Sequence, residues 1–301
     1  MSAPDVRIYE VGPRDGLQNE AAPISTDAKL RFIDLLADAG LREIEATSFV
    51  SPRAIPQLAD ADELMGRLER RSEVRYPVLV PNRRGLDRAV AAGVDAVCVF
   101  TAASEEFTAH NINMSIGASI EAFRPVVDAA RERGWWSRGY VSTAFGCPYQ
   151  GAVDEVSVVD VATRLLDLGV DELSIGDTIG VAGPADVRRV VGALLTAGIG
   201  TDRLAMHFHD TRGTALANVT AALELGIRCF DASTGGTGGC PYAPGAAGNL
   251  ATEDLVYLLE REGLSHGVDL DRLLVAARHV SDTLGRPLST KVGQAGGWRL
   301  P

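Results

Sequence analysis

Short runs of β-branched and apolar residues alternate along the chain with longer stretches in which apolar residues recur at helical spacing. This helical periodicity is clearest at residues 29–36 and 161–168, where the intervening positions are largely polar. A glycine often precedes the next apolar run, where it can supply the left-handed conformation that ends a helix; these glycines are Gly40, Gly93, Gly134, Gly169, Gly198 and Gly226. The pattern predicts a repeated unit of one strand and one helix.

The apolar runs predict eight strands, at residues 6–11, 42–49, 74–80, 96–101, 138–145, 172–177, 203–209 and 229–233. Alternation of strands and helices implies parallel pairing through right-handed crossovers. Eight units in 301 residues favour an α/β fold of the TIM (β/α)8 barrel class over an open doubly wound sheet. We predict one catalytic domain over residues 1–301, with residues 265–301 as a C-terminal extension. The amphipathic stretch 270–284 predicts an additional helix packed outside the barrel.

Composition and charge exclude several classes of protein. A chain with 46% hydrophobic and 23% charged residues is typical of a globular protein, and a net charge of −11 argues against nucleic acid as a partner. A small anionic substrate is still allowed, because steering into a cleft depends on local Arg and Lys. No apolar run is long enough to span a membrane, the cysteines have no C-x-x-C spacing, and the first residues resemble no targeting signal. We expect a reduced, cytoplasmic protein.

Several polar residues fall where the predicted strands end, which is the edge of such a barrel that carries catalytic residues. His207 and His209 are two apart on a predicted strand, so both imidazoles leave the same face. With Asp15, and with Asn249 if it reaches them, they could bind a divalent metal. This nitrogen and oxygen set suits Mg²⁺ or Mn²⁺ better than structural Zn²⁺, with Fe(II) as an alternative. The alternative is that neither histidine binds a metal: one would be a hydrogen-bonded core residue and the other a solvent-facing residue at the rim of the barrel.

Three further charged residues lie at these strand ends. Arg14 places a positive charge beside Asp15, where it could stabilise an enolate oxygen, or it could form a surface ion pair with Glu10 or Glu45. Glu45 and Asp177 could each orient a ligand or a water molecule, or could bond within the packed barrel mouth. The sequence does not decide between these alternatives.

The segment 235–248 is rich in glycine and carries Cys240 in its middle. Such a segment can close over a site and bring a cysteine to it, although a loop with an incidental cysteine has the same composition. Neither G-x-x-x-x-G-K-[ST] nor a well-placed G-x-G-x-x-G is present, so the sequence gives little support to nucleotide binding. The remaining cysteines, Cys98, Cys147 and Cys229, are predicted to be buried small apolar residues.

Several segments together resemble the 3-hydroxy-3-methylglutaryl-CoA (HMG-CoA) lyases of the DRE-TIM metallolyase superfamily. The resemblance covers nearly the whole chain, and its most specific part is residues 238–254, where the family has its catalytic cysteine. The other matching segments are residues 11–20, 46–52, 138–142, 146–149, 176–180 and 207–218.

The resemblance implies a carbon–carbon lyase that cleaves HMG-CoA to acetoacetate and acetyl-CoA in leucine breakdown and ketone body formation. It implies that Mg²⁺ or Mn²⁺ is held by four residues, Asp15, His207, His209 and Asn249. Arg14 would neutralise the enolate, Cys240 would donate or accept a proton, and Arg138 would lie near the substrate. Glu45 and Asp177 would hold the hydroxyl network, with His207 or Asp177 as the base, and Glu10 would support the site from behind.

Other functions remain open at this point. The substrate could be a longer branched 3-hydroxy-glutaryl-CoA analogue, because the motifs do not separate chain lengths. A condensing enzyme such as a homocitrate or isopropylmalate synthase shares the Arg-Asp-Gly and His-x-His pattern but usually carries a further regulatory region. A pyruvate-type aldolase and a catalytically silent acyl-CoA or metal sensor are further alternatives. The oligomeric state is open, with a homodimer among the options.

Overall fold

Nine short strands form one parallel sheet in this computed structural model, which describes residues 4–21, 23–239 and 247–297. In sheet order they run β2-β1-β9-β8-β7-β6-β5-β4-β3. The strands are β1 (Arg7–Glu10), β2 (Glu43–Ile44), β3 (Thr47–Ser48), β4 (Val78–Leu79), β5 (Ala96–Ala102), β6 (Trp136–Ser142), β7 (Glu172–Asp177), β8 (Leu204–Phe208) and β9 (Cys229–Ala232).

Strands β2 and β3 are two halves of the single strand predicted at residues 42–49. Strand β2 pairs with β1, and β3 pairs with β4. Between the halves, the Glu45 amide donates to the Glu10 carbonyl oxygen and the Ala46 amide to that of Pro77, both at 2.9 Å. The two ends of the sheet therefore meet in one stretch of chain, and the predicted TIM barrel is confirmed.

Most strand predictions hold in position, and the differences in length have local causes. Strand β7 has the predicted bounds. Strand β4 is shorter than predicted because Pro77 has no amide hydrogen for the ladder. Strand β6 ends at Ser142, before the predicted residue 145, because Thr143 has a φ of 55° and turns the chain out of the sheet. His209 lies just beyond β8 and forms an isolated bridge with Asn249.

Helices follow the strands as the periodicity predicts. They are α1 (Thr26–Asp38), α2 (Ala61–Arg67), α3 (Arg83–Ala91), α4 (Glu105–Ile112), α5 (Ile116–Arg133), α6 (Glu155–Leu168), α7 (Pro184–Thr196), α8 (Ala215–Glu224), α9 (Thr252–Arg261), α10 (Leu270–Leu284) and α11 (Lys291–Ala295). All six glycines predicted to end helices have positive φ. Among the described residues, no helix is both long and apolar enough to cross a membrane.

The predicted additional helix is α10, which packs against α1. The Asp269 amide donates to the Ala39 carbonyl oxygen at 2.7 Å, and the His279 ring nitrogen Nε2 lies 2.9 Å from the Ala28 carbonyl oxygen. Both contacts are with α1 or the residue that follows it, so α10 lies on the outer helical layer. The assignment of residues 1–301 to a single domain, with 265–301 as an extension, stays a prediction.

Candidate active site

A cleft of about 340 Å³ opens at the carboxyl ends of the strands. Asp15, His207 and His209 line it, and each offers one ligand atom such that all three atoms lie within 4.8 Å of one another. The two imidazole rings have centroids 5.2 Å apart. The structure therefore brings the two histidines to the same side, as their spacing predicted, and places the Asp15 carboxylate beside them.

Asp15 is positioned by a single turn of π-helix, Gly12–Gly16, that follows β1. The amides of Asp15 and Gly16 both donate to the Val11 carbonyl oxygen, at 2.8 and 3.1 Å. A Cβ atom at position 16 would lie 2.3 Å from Thr237 Oγ1 and 2.7 Å from Ser233 Oγ. Only glycine fits this close approach, which explains the glycine that follows the aspartate.

Asn249 reaches the site because residues 248–252 lie alongside the ends of β8 and β9. The Leu250 amide donates to the Phe208 carbonyl oxygen at 3.0 Å, and the Ser233 amide donates to the Leu250 carbonyl oxygen at 2.9 Å. Asn249 Nδ2 then donates to Asp15 Oδ2 at 2.8 Å. All four predicted metal ligands are thus together.

The donor atoms fit a divalent metal. The amide oxygen Asn249 Oδ1 and the ring nitrogen His209 Nδ1 are both buried. Neither atom has a hydrogen-bond partner among the described residues. Burial lowers the pKa of His209 to about 3, so its imidazole is neutral and keeps a free lone pair. Burial acts to raise the pKa of Asp15, but Arg14 and the neighbouring histidines hold it below its usual value. A carboxylate, two imidazoles and an amide oxygen suit Mg²⁺ or Mn²⁺.

Arg14 lies at the cleft in a buried ion-pair network. Its guanidinium donates to Asp15 Oδ1 at 2.7 Å and to Glu45 Oε2 at 2.8 Å. Tyr140 also donates to Glu45 Oε2, at 2.8 Å, and its ring lies under the Arg14 guanidinium. Arg14 is only 7% exposed, so the ion pair that the sequence left as a surface alternative is in fact buried. Burial raises the pKa of Glu45 against the opposing effect of Arg14.

Asp177 and Glu10, both singled out in the sequence, are not among the residues that line the cleft. Asp177 accepts hydrogen bonds from the amides of Val181 and Ala182, at 2.9 and 3.1 Å, and so holds the turn after β7. Burial raises its pKa. Glu10 is also fully buried and accepts hydrogen bonds from Thr234 and Thr252, which join the ends of the strands behind the site.

Arg138, which the resemblance places near the substrate, lies below the cleft. It is fully buried in the barrel interior, where its guanidinium stacks 3.9 Å from the centre of the Tyr9 ring. Its Nε lies 3.1 Å from Glu172 Oε1, and its Nη2 lies 2.7 Å from Asp231 Oδ1. Arg138 is not among the residues that line the cleft, and its contact with a substrate stays a prediction.

Sequence reasoning missed Asp231, which lies 3.2 Å from His207 Nδ1 through its Oδ2 atom. Burial acts to raise the pKa of Asp231, but Arg138, His207 and Ser174 hold it below its usual value. The available signal was an acidic residue inside the apolar run that forms β9, since a charge in a barrel strand needs a buried partner. Sequence reasoning also missed Tyr140, whose hydroxyl donates to Glu45 Oε2.

Cys240 lies outside the described residues. The described chain before it ends at Gly239. Gly238 has a φ of +86°, and a Cβ atom there would lie 2.6 Å from Asn249 Nδ2, so this glycine packs against the metal-ligand cluster two residues before the cysteine. Cys98, Cys147 and Cys229 are free and buried, as predicted.

The fold and the site together define a (β/α)8 barrel with a divalent-metal type of ligand set at the carboxyl ends of its strands. The HMGL-like family model matches residues 5–280, and the chain belongs to this family. It is 48% identical over 290 residues to the mitochondrial hydroxymethylglutaryl-CoA lyase of Gallus gallus, covering 96% of this chain and 97% of that protein. It is also 48% identical to a hydroxymethylglutaryl-CoA lyase of Bacillus subtilis, covering 95% of each chain.

Solved structures agree with this assignment. A crystal structure of the Bacillus subtilis HMG-CoA lyase superposes with a TM-score of 0.95 at 47% identity, covering 98% of this chain and 99% of that one. An HMG-CoA lyase from A. baumannii in complex with coenzyme A and 3-methylmalate superposes with a TM-score of 0.93 at 38% identity, covering all of both chains.

Proposed function

We propose that this protein is a carbon–carbon lyase that cleaves HMG-CoA to acetoacetate and acetyl-CoA with Mg²⁺ or Mn²⁺. The observation that carries the proposal is the convergence of Asp15, His207 and His209 at one cleft, beside Asn249, whose buried Oδ1 has no hydrogen-bond partner among the described residues. Identity of 48% over nearly the full length of proteins named for this activity supports it. These four residues would hold the cation. When bound, such an ion lowers the affinity of a coordinated hydroxyl for its proton.

The reaction requires removal of a proton from the 3-hydroxyl group of the substrate. Of the two bases that the sequence left open, His207 lines the cleft and Asp177 does not. Both Asp177 oxygens already accept backbone hydrogen bonds. We therefore propose that the proton leaves on the His207 side of the cleft, although an imidazole nitrogen that holds the cation is not itself free to accept it. As the hydroxyl oxygen becomes the ketone oxygen of acetoacetate, the bond between carbons 2 and 3 breaks and its electron pair moves onto carbon 2.

The departing fragment is the enolate of acetyl-CoA, and its negative charge needs a fixed positive partner. Arg14 lines the cleft, and Glu45 and Asp15 hold its guanidinium in place by hydrogen bonds of 2.8 and 2.7 Å. A guanidinium fixed in this way needs little reorganisation as the charge develops. Glu45 in turn is held by Tyr140. We assign enolate stabilisation to Arg14 and its orientation to Glu45.

Protonation of carbon 2 completes the reaction, and Cys240 is the proposed proton donor. The proposal rests on the family motif at residues 238–254 and on Gly238, which lies against Asn249 at the edge of the cleft. A glycine-rich segment at this point could bring the thiol to the substrate and exclude water.

The biological setting is proposed on the same basis. Leucine breakdown is the process that consumes HMG-CoA in the family that the sequence resembles. Relatives at 48% identity include a mitochondrial protein and one named as cytoplasmic, so the cytoplasmic location of this chain stays a prediction. The homodimer likewise stays a prediction.

The test is to quantify acetoacetate and acetyl-CoA from purified protein supplied with Mg²⁺ and either HMG-CoA or a longer branched 3-hydroxy-glutaryl-CoA analogue. The proposal predicts equal amounts of both products from HMG-CoA and a higher kcat/KM for it than for the analogue. Preference for the analogue would reassign the substrate. Condensation of acetyl-CoA with a 2-oxo acid, without cleavage, would instead identify a synthase.

A further inference from the structure

A buried ion pair lies in the barrel interior below the cleft, and the proposed reaction does not account for it. Arg138 on β6 and Asp231 on β9 are both fully buried, and their atoms Nη2 and Oδ1 lie 2.7 Å apart. Barrel interiors of this type are dominated by branched apolar side chains. Burying two charges costs free energy even when they are paired, so a gain in stability does not explain why this ion pair lies in the barrel interior.

Asp231 is held on both of its oxygens. Oδ1 faces Arg138, while Oδ2 accepts a hydrogen bond from Ser174 Oγ at 2.7 Å and lies 3.2 Å from His207 Nδ1. His207 and Asp231 are also direct partners in the register of the paired strands β8 and β9. Arg138 and Ser174 therefore hold the Asp231 carboxylate in the orientation in which it contacts His207.

We propose that Asp231, oriented by Arg138, is a positioning residue that fixes the tautomer and the ring orientation of His207. An ionised carboxylate can only accept at Nδ1, so the Nδ1 proton stays on the ring and the Nε2 lone pair is left for the cleft. Carboxylates commonly orient metal-binding histidines in this way. The inference rests on the proposed metal site, but it concerns a contact that exists without the metal.

The substitution Asp231→Asn separates this role from simple neutralisation of Arg138. A guanidinium has only donors, so the amide oxygen of the variant must stay on Arg138. The amide nitrogen then faces His207 and donates to Nδ1. The proton must move to Nε2, which removes the lone pair from the cleft while the size and shape of the side chain are almost unchanged.

The first test needs no substitution at position 231. Nitrogen-15 NMR of metal-free protein labelled on histidine reports which ring nitrogen carries the proton, and the chain has only 5 histidines to assign. A His207→Gln variant identifies the resonance. Measured at about pH 8, where a free imidazole is neutral, His207 should carry its proton on Nδ1, and Asp231→Asn should move it to Nε2. A wild-type ring with its proton on Nε2, or one protonated on both nitrogens, would overturn the proposal.

The second test is the affinity for Mn²⁺ alone, measured by calorimetry or by the spectrum of the free ion. Asp231→Asn should bind Mn²⁺ ~10–100-fold more weakly than the wild type. The matched control is Glu172→Gln, which disturbs the other side of Arg138 but leaves the carboxylate on His207. It should lower the melting temperature while keeping the His207 tautomer and the Mn²⁺ affinity.

The outcomes distinguish the two proposals. Wild-type protein that fails to bind Mn²⁺ would contradict the proposed metal site and leave the tautomer measurement to decide the role of Asp231. Wild-type binding with equal affinity in Asp231→Asn would contradict the positioning role alone. Equal losses of affinity in Asp231→Asn and Glu172→Gln would show that both act only through the stability of the barrel.

Discussion

Replacement of Arg14 by glutamine tests the electrostatic core of the proposed mechanism. Arg14 is 7% exposed and is shared between Asp15 and Glu45, with hydrogen bonds of 2.7 and 2.8 Å. Arg14→Gln therefore removes two things at once, the positive charge offered to the enolate and the buried partner of Glu45. Each loss has its own expected magnitude and its own assay.

Loss of one fixed donor to a developing oxyanion typically costs about 10²–10³ in kcat, or roughly 3–4 kcal/mol in the transition state. We expect this loss in single-turnover cleavage of HMG-CoA, with little change in substrate binding, because the charge develops only as the bond breaks. Leaving Glu45 buried without its cation should also lower the free energy of unfolding by roughly 3–5 kcal/mol, measured by urea denaturation.

The double variant Arg14→Gln with Glu45→Gln separates the two effects. It removes the uncompensated buried charge, so stability should return toward the wild-type value while turnover stays low. Recovery of turnover together with stability would refute the enolate role and leave Arg14 as a structural partner of Glu45. A loss confined to KM would refute it as well.

Three further predictions concern other parts of the site. Cys240→Ala should keep wild-type Mn²⁺ affinity while lowering kcat by orders of magnitude, and an unchanged kcat would remove the thiol from the mechanism. Gly16→Ala should weaken Mn²⁺ binding, because its Cβ would clash with Thr237 Oγ1, whereas Gly66→Ala, whose Cβ would have no atom of the described residues within 4 Å, should leave Mn²⁺ binding unchanged. Burial raises the pKa of Glu253 from 4.5 to about 8, so the folded chain binds more protons than the unfolded chain in that interval. The free energy of unfolding should therefore fall as pH rises through it, and Glu253→Gln should flatten this slope in urea titrations at several pH values.

The sequence predicted the barrel because strands and helices alternate regularly along the chain. The same regular pattern gave no sign of where an individual strand is interrupted or shortened. The split of the second strand at Glu45 and the shortness of β4 depend on Pro77 and on pairing across the closing seam. Closure of the barrel depends on hydrogen bonds between residues that are far apart in the sequence. A window of a few residues shows the apolar run but not which of its amides find a partner.

The candidate site was predictable where residues of unusual chemistry stand together at strand ends. Asp15, His207 and His209 belong to this group, and the structure gathers them within 4.8 Å. Asp231 escaped notice because its importance comes from Arg138, which lies 93 positions earlier in the chain. The buried position of the Arg138 side chain was not predictable, because a motif gives the neighbourhood of a residue but not the direction of its side chain within the barrel.

The most direct test of the account is metal-dependent product release by the purified protein. Protein treated with a chelator should release neither acetoacetate nor acetyl-CoA from HMG-CoA, and added Mg²⁺ or Mn²⁺ should restore both products in equal amounts. The variant Asp15→Asn should fail to respond to either ion. Full cleavage in the presence of the chelator, or a normal metal response in Asp15→Asn, would contradict the proposed metal site.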